Sequence, residues 1–296
     1  NWAPDAPFEA EGAFSVSDWR NSGGSIAAHD VEFSLALPPS GGGRLELDGP
    51  ALLTGPLGAG SVRDLAVDLD LALDWGSGWR VSPKAACLPV RFASLEIAGL
   101  AFNDGSVPLC ALGGALISAD RNGDLAGGFT IAAPRVAGRL RAGEPVTLSA
   151  RAIRGHFTGS RQDMQLNIEA NTPDIAFDLS ETRRVSLTLG ALTAHAQLGR
   201  DWHVAGGFER GALLDPSLPG DVSAIAGTWS AAQEDGAFVV RVAAGEALVV
   251  ANRPASETER PLFNPVRLAD VNAIFRGGAV TAEGAMLQES SRRPLA

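Results

Sequence analysis

The sequence predicts an all-β protein, and three observations carry that prediction. The first is the stretch 64–74, DLAVDLDLALD, where Leu65, Val67, Leu69, Leu71 and Leu73 take every second position. Asp64, Asp68, Asp70 and Asp74 lie between them with the small Ala66 and Ala72. A helix, turning about 100° per residue, would scatter these leucines around its circumference. A strand sends them to one face and the aspartates to the other. At ~3.3 Å per residue the stretch spans roughly 36 Å, long for a strand in an ordinary sheet. The second observation is that shorter alternating runs recur along the chain, separated by turn residues and without any sustained helical period. The third is composition: 35 Gly and 18 Pro in 296 residues supply many turns.

Taken in order, residues 1–13 are Pro- and Ala-rich and read as an irregular lead-in. Val31, Phe33, Leu35 and Leu37 then alternate with Glu32, Ser34 and Ala36 up to Pro38-Pro39. Gly41-Gly42-Gly43 turns the chain into a run carrying Leu45 and Leu47. The long strand 64–74 breaks at Trp75-Gly76-Ser77-Gly78-Trp79, a hairpin loop flanked by aromatics. The run 91–102 places Leu95 and Ile97 in phase. Asp120-Arg121-Asn122-Gly123-Asp124 turns Leu116-Ile117 back into Phe129 and Ile131, Asn-Gly being a strong hairpin signal. Val146 and Leu148 alternate, as do Leu166 and Ile168. So do Ile175, Phe177 and Leu179, and then Val185, Leu187 and Leu189. Phe238, Val240 and Val242 precede Leu248 and Val250, and the strand-like run 271–287 follows. The best candidate for a short helical turn is Ser256-Glu257-Thr258-Glu259, after Pro254. No composition shift marks a domain boundary, so 1–296 reads as a single elongated β region.

The net charge of −10 argues against nucleic acid or anionic headgroups held by a general basic surface. No apolar run approaches the roughly 18 residues of a membrane-spanning helix. The chain starts at Asn1 without a Met and stops in mid-pattern, so it reads as a fragment of a longer protein. Its two cysteines, Cys87 and Cys110, are too few for a structural zinc site. They are either a disulfide, which implies an oxidising compartment, or two unrelated thiols.

Few residues are arranged for chemistry. His29, His156, His195 and His203 have no helical metal-ligand spacing, although 195 and 203 could approach across a hairpin. No G-x-S-x-G, Walker, HExxH or GxGxxG motif occurs. The loop 120–124 begins like a calcium loop, but its sixth position is Leu125 and its twelfth Ile131. Neither an enzyme nor a cofactor is therefore expected, and a polysaccharide-active protein would need a carboxylate pair and an aromatic platform.

The apolar faces themselves are the candidate site. They either pack against each other as a β-sandwich core or line a continuous trough for acyl chains. The candidate lining set is Leu65, Val67, Leu69, Leu71, Leu73, Val31, Phe33, Leu35, Leu166, Ile168, Ile175, Phe177, Val185, Leu187 and Leu189. From Gly227 onward the chain carries Ala251-Asn252-Arg253-Pro254, then Phe263-Asn264-Pro265, 268–273, Arg276-Gly277-Gly278 and Ala282-Glu283-Gly284. These residues resemble the YdbH family, AsmA-like proteins of the bacterial envelope. The segment from Cys87 to Cys110, followed by Leu112-Gly113-Gly114-Ala115-Leu116, is similar in a looser way.

The resemblance implies a long curved antiparallel sheet forming an elongated apolar groove in the periplasm. It further implies an inner-membrane anchor outside this fragment and phospholipid moving along the groove between the membranes. A small outer-membrane lipoprotein (YnbE-like) would be the partner of the full-length protein. An oxidising periplasm favours the Cys87–Cys110 bond. The competing expectation is a structural or adhesive envelope sandwich that binds protein partners and no lipid.

Overall fold

A computed structural model describes residues 6–21, 23–57, 60–97, 100–140, 143–160, 163–198, 202–234, 237–251, 263–276, 279–283 and 286–289. Among these the chain is all-β. The first strands are β1 (Phe8–Asn21), β2 (Gly24–Leu37), β3 (Gly43–Leu57), β4 (Gly60–Trp75), β5 (Trp79–Pro83), β6 (Cys87–Ile97) and β7 (Leu100–Ala111). A 3-10 turn, Leu112–Gly114, precedes β8 (Ile117–Ala119), β9 (Leu125–Ala132), β10 (Arg135–Leu140), β11 (Pro145–Ser149), β12 (Ala152–Gly159) and β13 (Met164–Asn171). Then come β14 (Asp174–Ser180), β15 (Arg183–Thr188), β16 (Ala191–Leu198), β17 (His203–Leu214) and β18 (Gly220–Glu234). Last are β19 (Ala237–Ala251), β20 (Val266–Arg276), β21 (Ala279–Glu283) and β22 (Met286–Glu289).

The chain divides into two units, residues 1–143 with 152–166 and residues 144–151 with 167–296. In the first, β1 to β4 form an antiparallel meander. The far edge of β4 is shared, with 61–67 pairing to β6 and 71–75 to β5. β7 lies beside β6 and then meets β9 and β10, while β9 also takes β8 and β12. In the second unit β11, β14 and β15 lead to one end of β17, and β16 pairs with its other end. β18, β19 and β20 follow in sequence, and β20 ends against β21 and β22.

The irregular lead-in expected over 1–13 is corrected by β1, which begins at Phe8. Its alternation is hard to read because Ala10 and Gly12 occupy two of its apolar slots. The helical turn expected at 256–259 lies outside the described residues. The turns at 75–79 and 120–124 are the hairpins their sequences announce. In the latter, Asp120 Oδ1 accepts the backbone N–H of Asn122 at 2.8 Å and of Asp124 at 2.9 Å. Gly42, between β2 and β3, has φ +81°, and a Cβ there would stand 2.5 Å from the Trp75 carbonyl oxygen, so only glycine fits.

Long strands of this kind carry bulges. Asp30, Asp64 and Asp104 adopt left-handed backbone inside β2, β4 and β7, with φ of 50°, 52° and 52°. Aspartate tolerates that region better than most residues. Hydroxyls from the neighbouring strand satisfy two of these amides: Asp30 N–H donates to Ser15 Oγ at 2.8 Å and Asp64 N–H to Thr54 Oγ1 at 2.9 Å. A bulge adds a residue and so resets the alternation. On β2 it brings the even-numbered Ile26 and Ala28 opposite Leu53 and Ala51, on the face already holding Val31, Phe33 and Leu35.

Several aromatic rings lie down across neighbouring glycines. Phe33 covers Gly12, Phe92 covers Gly105, Phe129 covers Gly155 and Phe157 covers Gly127. At Gly105 an added Cβ would stand 1.9 Å from Phe92 Cζ. Such rings pack within their own sheet rather than standing up into a second layer.

Candidate functional site

The cross-strand registers join the apolar alternations of separate strands into continuous rows. Phe33 of β2 lies opposite Leu47 of β3, which faces Leu71 of β4, which faces Pro83 of β5. The next row runs Leu35, Leu45, Leu73, Val81 and Ile117. A third runs Ala51, Val67, Val90 and Val107, and a fourth Leu53, Leu65, Phe92 and Gly105. Directly opposed residues project to one side of a sheet, so these rows make one apolar face. The predicted residues of β2 and β4 meet on it, with Leu45 and Leu47 between them.

The reverse face is ionic. Arg44 Nε bonds Glu46 Oε1 at 2.7 Å and its Nη1 bonds Asp74 Oδ1 at 3.0 Å. Lys84 Nζ bridges Asp48 at 3.3 Å and Asp70 at 3.2 Å. Exposed pairs of this kind add little stability; their consequence here is that the two faces differ sharply in polarity. Cys87 and Cys110 are direct cross-strand partners, joined in a disulfide with a Cα–Cα distance of 3.9 Å. They flank the Leu88–Leu109 pair.

In the second unit Val146, Phe177 and Val185 form one row, and Leu148, Ile175, Leu187 and Leu213 another. Leu189 joins Phe208 and Ala244 in a buried cluster against which Leu187, Leu192, Ile225, Trp229, Val242 and Val271 pack. Leu166 and Ile168 lie on β13, which pairs with β16. Near this unit's surface, hydrogen bonds from Arg183 and the Ser217 backbone hold the Asp215 carboxyl well below the usual carboxylate range.

Burial separates the candidate lining set from an ordinary core. Val31 and Leu189 are buried, at 0% and 7% exposed, whereas the other thirteen of the fifteen are half-buried. All five apolar residues of 65–73 belong to the half-buried group. Their apolar side chains therefore keep part of their surface without protein cover.

Sequence reasoning missed Leu88, Val90 and Phe92 on β6 and Phe102, Val107 and Leu109 on β7. Pro89 and Pro108 interrupt those runs, and Gly105 occupies an apolar slot as the seat of the Phe92 ring. The signal was an aromatic opposite a glycine, which is visible only once register is known.

Other chemistry is not assembled. His195 Nδ1 lies 2.7 Å from Asn167 Oδ1, and His203 faces Gln197 rather than His195. Among the described residues no three His, Cys, Asp or Glu side chains are grouped as metal ligands, and no helix is long and apolar enough to cross a membrane. Comparison with family models, with curated proteins and with solved structures gives no match.

Proposed function

We propose that this chain is a lipid-binding segment of a periplasmic, bridge-like phospholipid transport protein of the YdbH type. The observation that carries the reading is the set of aligned apolar rows whose side chains stay half-exposed. A sandwich core would bury residues the size of Leu69 and Leu71 against an opposing sheet. An acyl chain supplies the same cover at about 0.8 kcal/mol per methylene removed from water, and needs no specific polar partner. Along β4 the apolar residues from Leu65 to Leu73 extend about 26 Å at ~3.3 Å per residue, longer than the ~15 Å hydrocarbon depth of one leaflet.

In this reading the apolar face is the floor of a groove. Acyl chains slide along it while headgroups stay in water near the ionic surfaces. No residue has a chemical role. The full-length protein would be anchored in the inner membrane and would meet a small outer-membrane lipoprotein at its far end. The disulfide supports an oxidising compartment such as the periplasm.

The test is native mass spectrometry and lipid extraction on protein purified from a periplasmic expression host without detergent. Bound phospholipid in stoichiometric or greater amount is the expected result. A clean lipid-free mass from gently handled protein contradicts the reading and favours a surface for protein partners.

A further inference from the structure

The sheet of the first unit forks. One edge of β4 is shared between β6 and β5. One edge of β9 is shared in the same way, with 129–131 pairing to β7 and Leu125 and Ala126 to β8. Two routes therefore connect β4 to β9, one through β6 and β7, the other through β5 and β8. The first is strong: β6 and β7 pair from Cys87 opposite Cys110 to Ile97 opposite Leu100. The second is slight, because β8 is Ile117–Ala119 alone and meets β9 through Ser118 and Ala119. The linkers that leave the fork, 84–86 and 112–114, are exposed. Lys84 N–H ties the first to the Asp70 carbonyl at 2.7 Å, and Leu116 N–H ties the second to the Val81 carbonyl at 2.9 Å. Gly113 and Gly114 hold left-handed φ of 77° and 85°, with nothing within 4 Å of the Cβ that either would carry.

The disulfide sits where the two routes part. Leu88 and Leu109 belong to the apolar face, in a row continued by Ile131 and Ile153. Cys87 and Cys110, one position away, face the ionic side, in a row with Thr130 and Arg154. Both cysteines are half-buried, and the small, exposed Ala85 and Ala86 lead up to Cys87. We propose that Cys87–Cys110 is a thiol-exchange site that latches the fork, its reaction partner being a dithiol oxidoreductase. One thiolate of the dithiol attacks Cys87 Sγ, the S–S bond breaks, and Cys110 leaves as a thiolate. Arg154, two strands away at ~4.8 Å per strand, stabilises that thiolate until it takes a proton. The second thiol of the dithiol then displaces Cys87 from the mixed disulfide. Two electrons and two protons pass to the cysteines, and the dithiol becomes a disulfide. With the bond open, 112–119 is held by little more than the short pairings of β8, and segments so held open at low free energy. Swinging on Gly113 and Gly114, it uncovers Val81 and Ile117, where the apolar row from Leu35 ends. None of this depends on what covers the apolar face.

The test treats the full chain with dithiothreitol under native conditions and follows thiol release, hydrogen exchange and trypsin cleavage. The bond is expected to be reduced without unfolding. Exchange in 84–87 and 110–119 should then speed up at least about tenfold more than in β2 and β3. Trypsin should cut after Lys84 in the reduced chain and not in the oxidised one. Cys87→Ala with Cys110→Ala should exchange as the reduced chain does and ignore the reductant. Arg154→Ala is expected to slow reduction about threefold and leave the melting temperature unchanged, a split that a structural role would not give. A bond that resists reduction until the chain unfolds, equal acceleration throughout the first unit, or no acceleration at all would each overturn the proposal. An unchanged rate in Arg154→Ala would overturn the role given to that cation.

Discussion

Replacing Leu69 and Leu71 together by Asp is expected to leave a folded β protein that no longer carries phospholipid. Both side chains are half-buried, so the fold draws only part of a leucine's ~1.5–3 kcal/mol transfer energy from each. The pair should cost about 2–4 kcal/mol, a loss that lowers the melting temperature without abolishing the transition. Lipid binding responds differently. Two carboxylates set between Val67 and Leu73 on the apolar face would have to be desolvated by every acyl chain that passes. The contrasting substitution is Val31→Asp, at a side chain 0% exposed, which should unfold the first unit. Lipid extraction with circular dichroism on both variants separates the cases. Loss of lipid only where the fold is also lost would indicate a closed core.

The second large effect concerns the Cys87–Cys110 bond. The bridge joins directly paired residues of β6 and β7 that are 23 positions apart in sequence. Closing a loop of that size contributes about 3 kcal/mol in the chain-entropy account. The double variant Cys87→Ala with Cys110→Ala is therefore expected to melt roughly 5–10 °C lower. A reducing agent should lower the melting point of the natural chain and leave that of the variant unchanged. An unaltered melting temperature would show that the β6–β7 ladder holds without its bond.

The fold class was legible because one period dominates. At 65–73 the alternation of leucine with aspartate admits only a strand, and the hairpins at 75–79 and 120–124 announce themselves by Gly and Asn-Gly. The phase of the alternation was less legible. The left-handed Asp30 and Asp64 reset it within β2 and β4, so Ile26, Ala28 and Val62 join the apolar face from positions that a simple count assigns to the other side. β1 was missed for a related reason. Its apolar slots at Ala10 and Gly12 hold small residues, and the Phe33 ring of the neighbouring strand lies across Gly12. Part of the candidate site was readable as a list of residues, Val31 to Leu35 and Leu65 to Leu73. Its continuity was not, because continuity depends on register and on Leu45, Leu47, Val90 and Phe92, which extend and join those sets across the sheet.

The apolar face of the first unit is expected to hold hydrocarbon. The most direct measurement is photocrosslinking with a phospholipid that carries a diazirine on its acyl chain, followed by mass-spectrometric mapping of the adducts. Adducts are expected on Phe33, Leu47, Leu69 and Leu71, with Glu46, Asp48 and Asp70 on the reverse face unlabelled. Labelling spread equally over both faces, or absent from the leucine rows, would show that the apolar face is not where hydrocarbon is held.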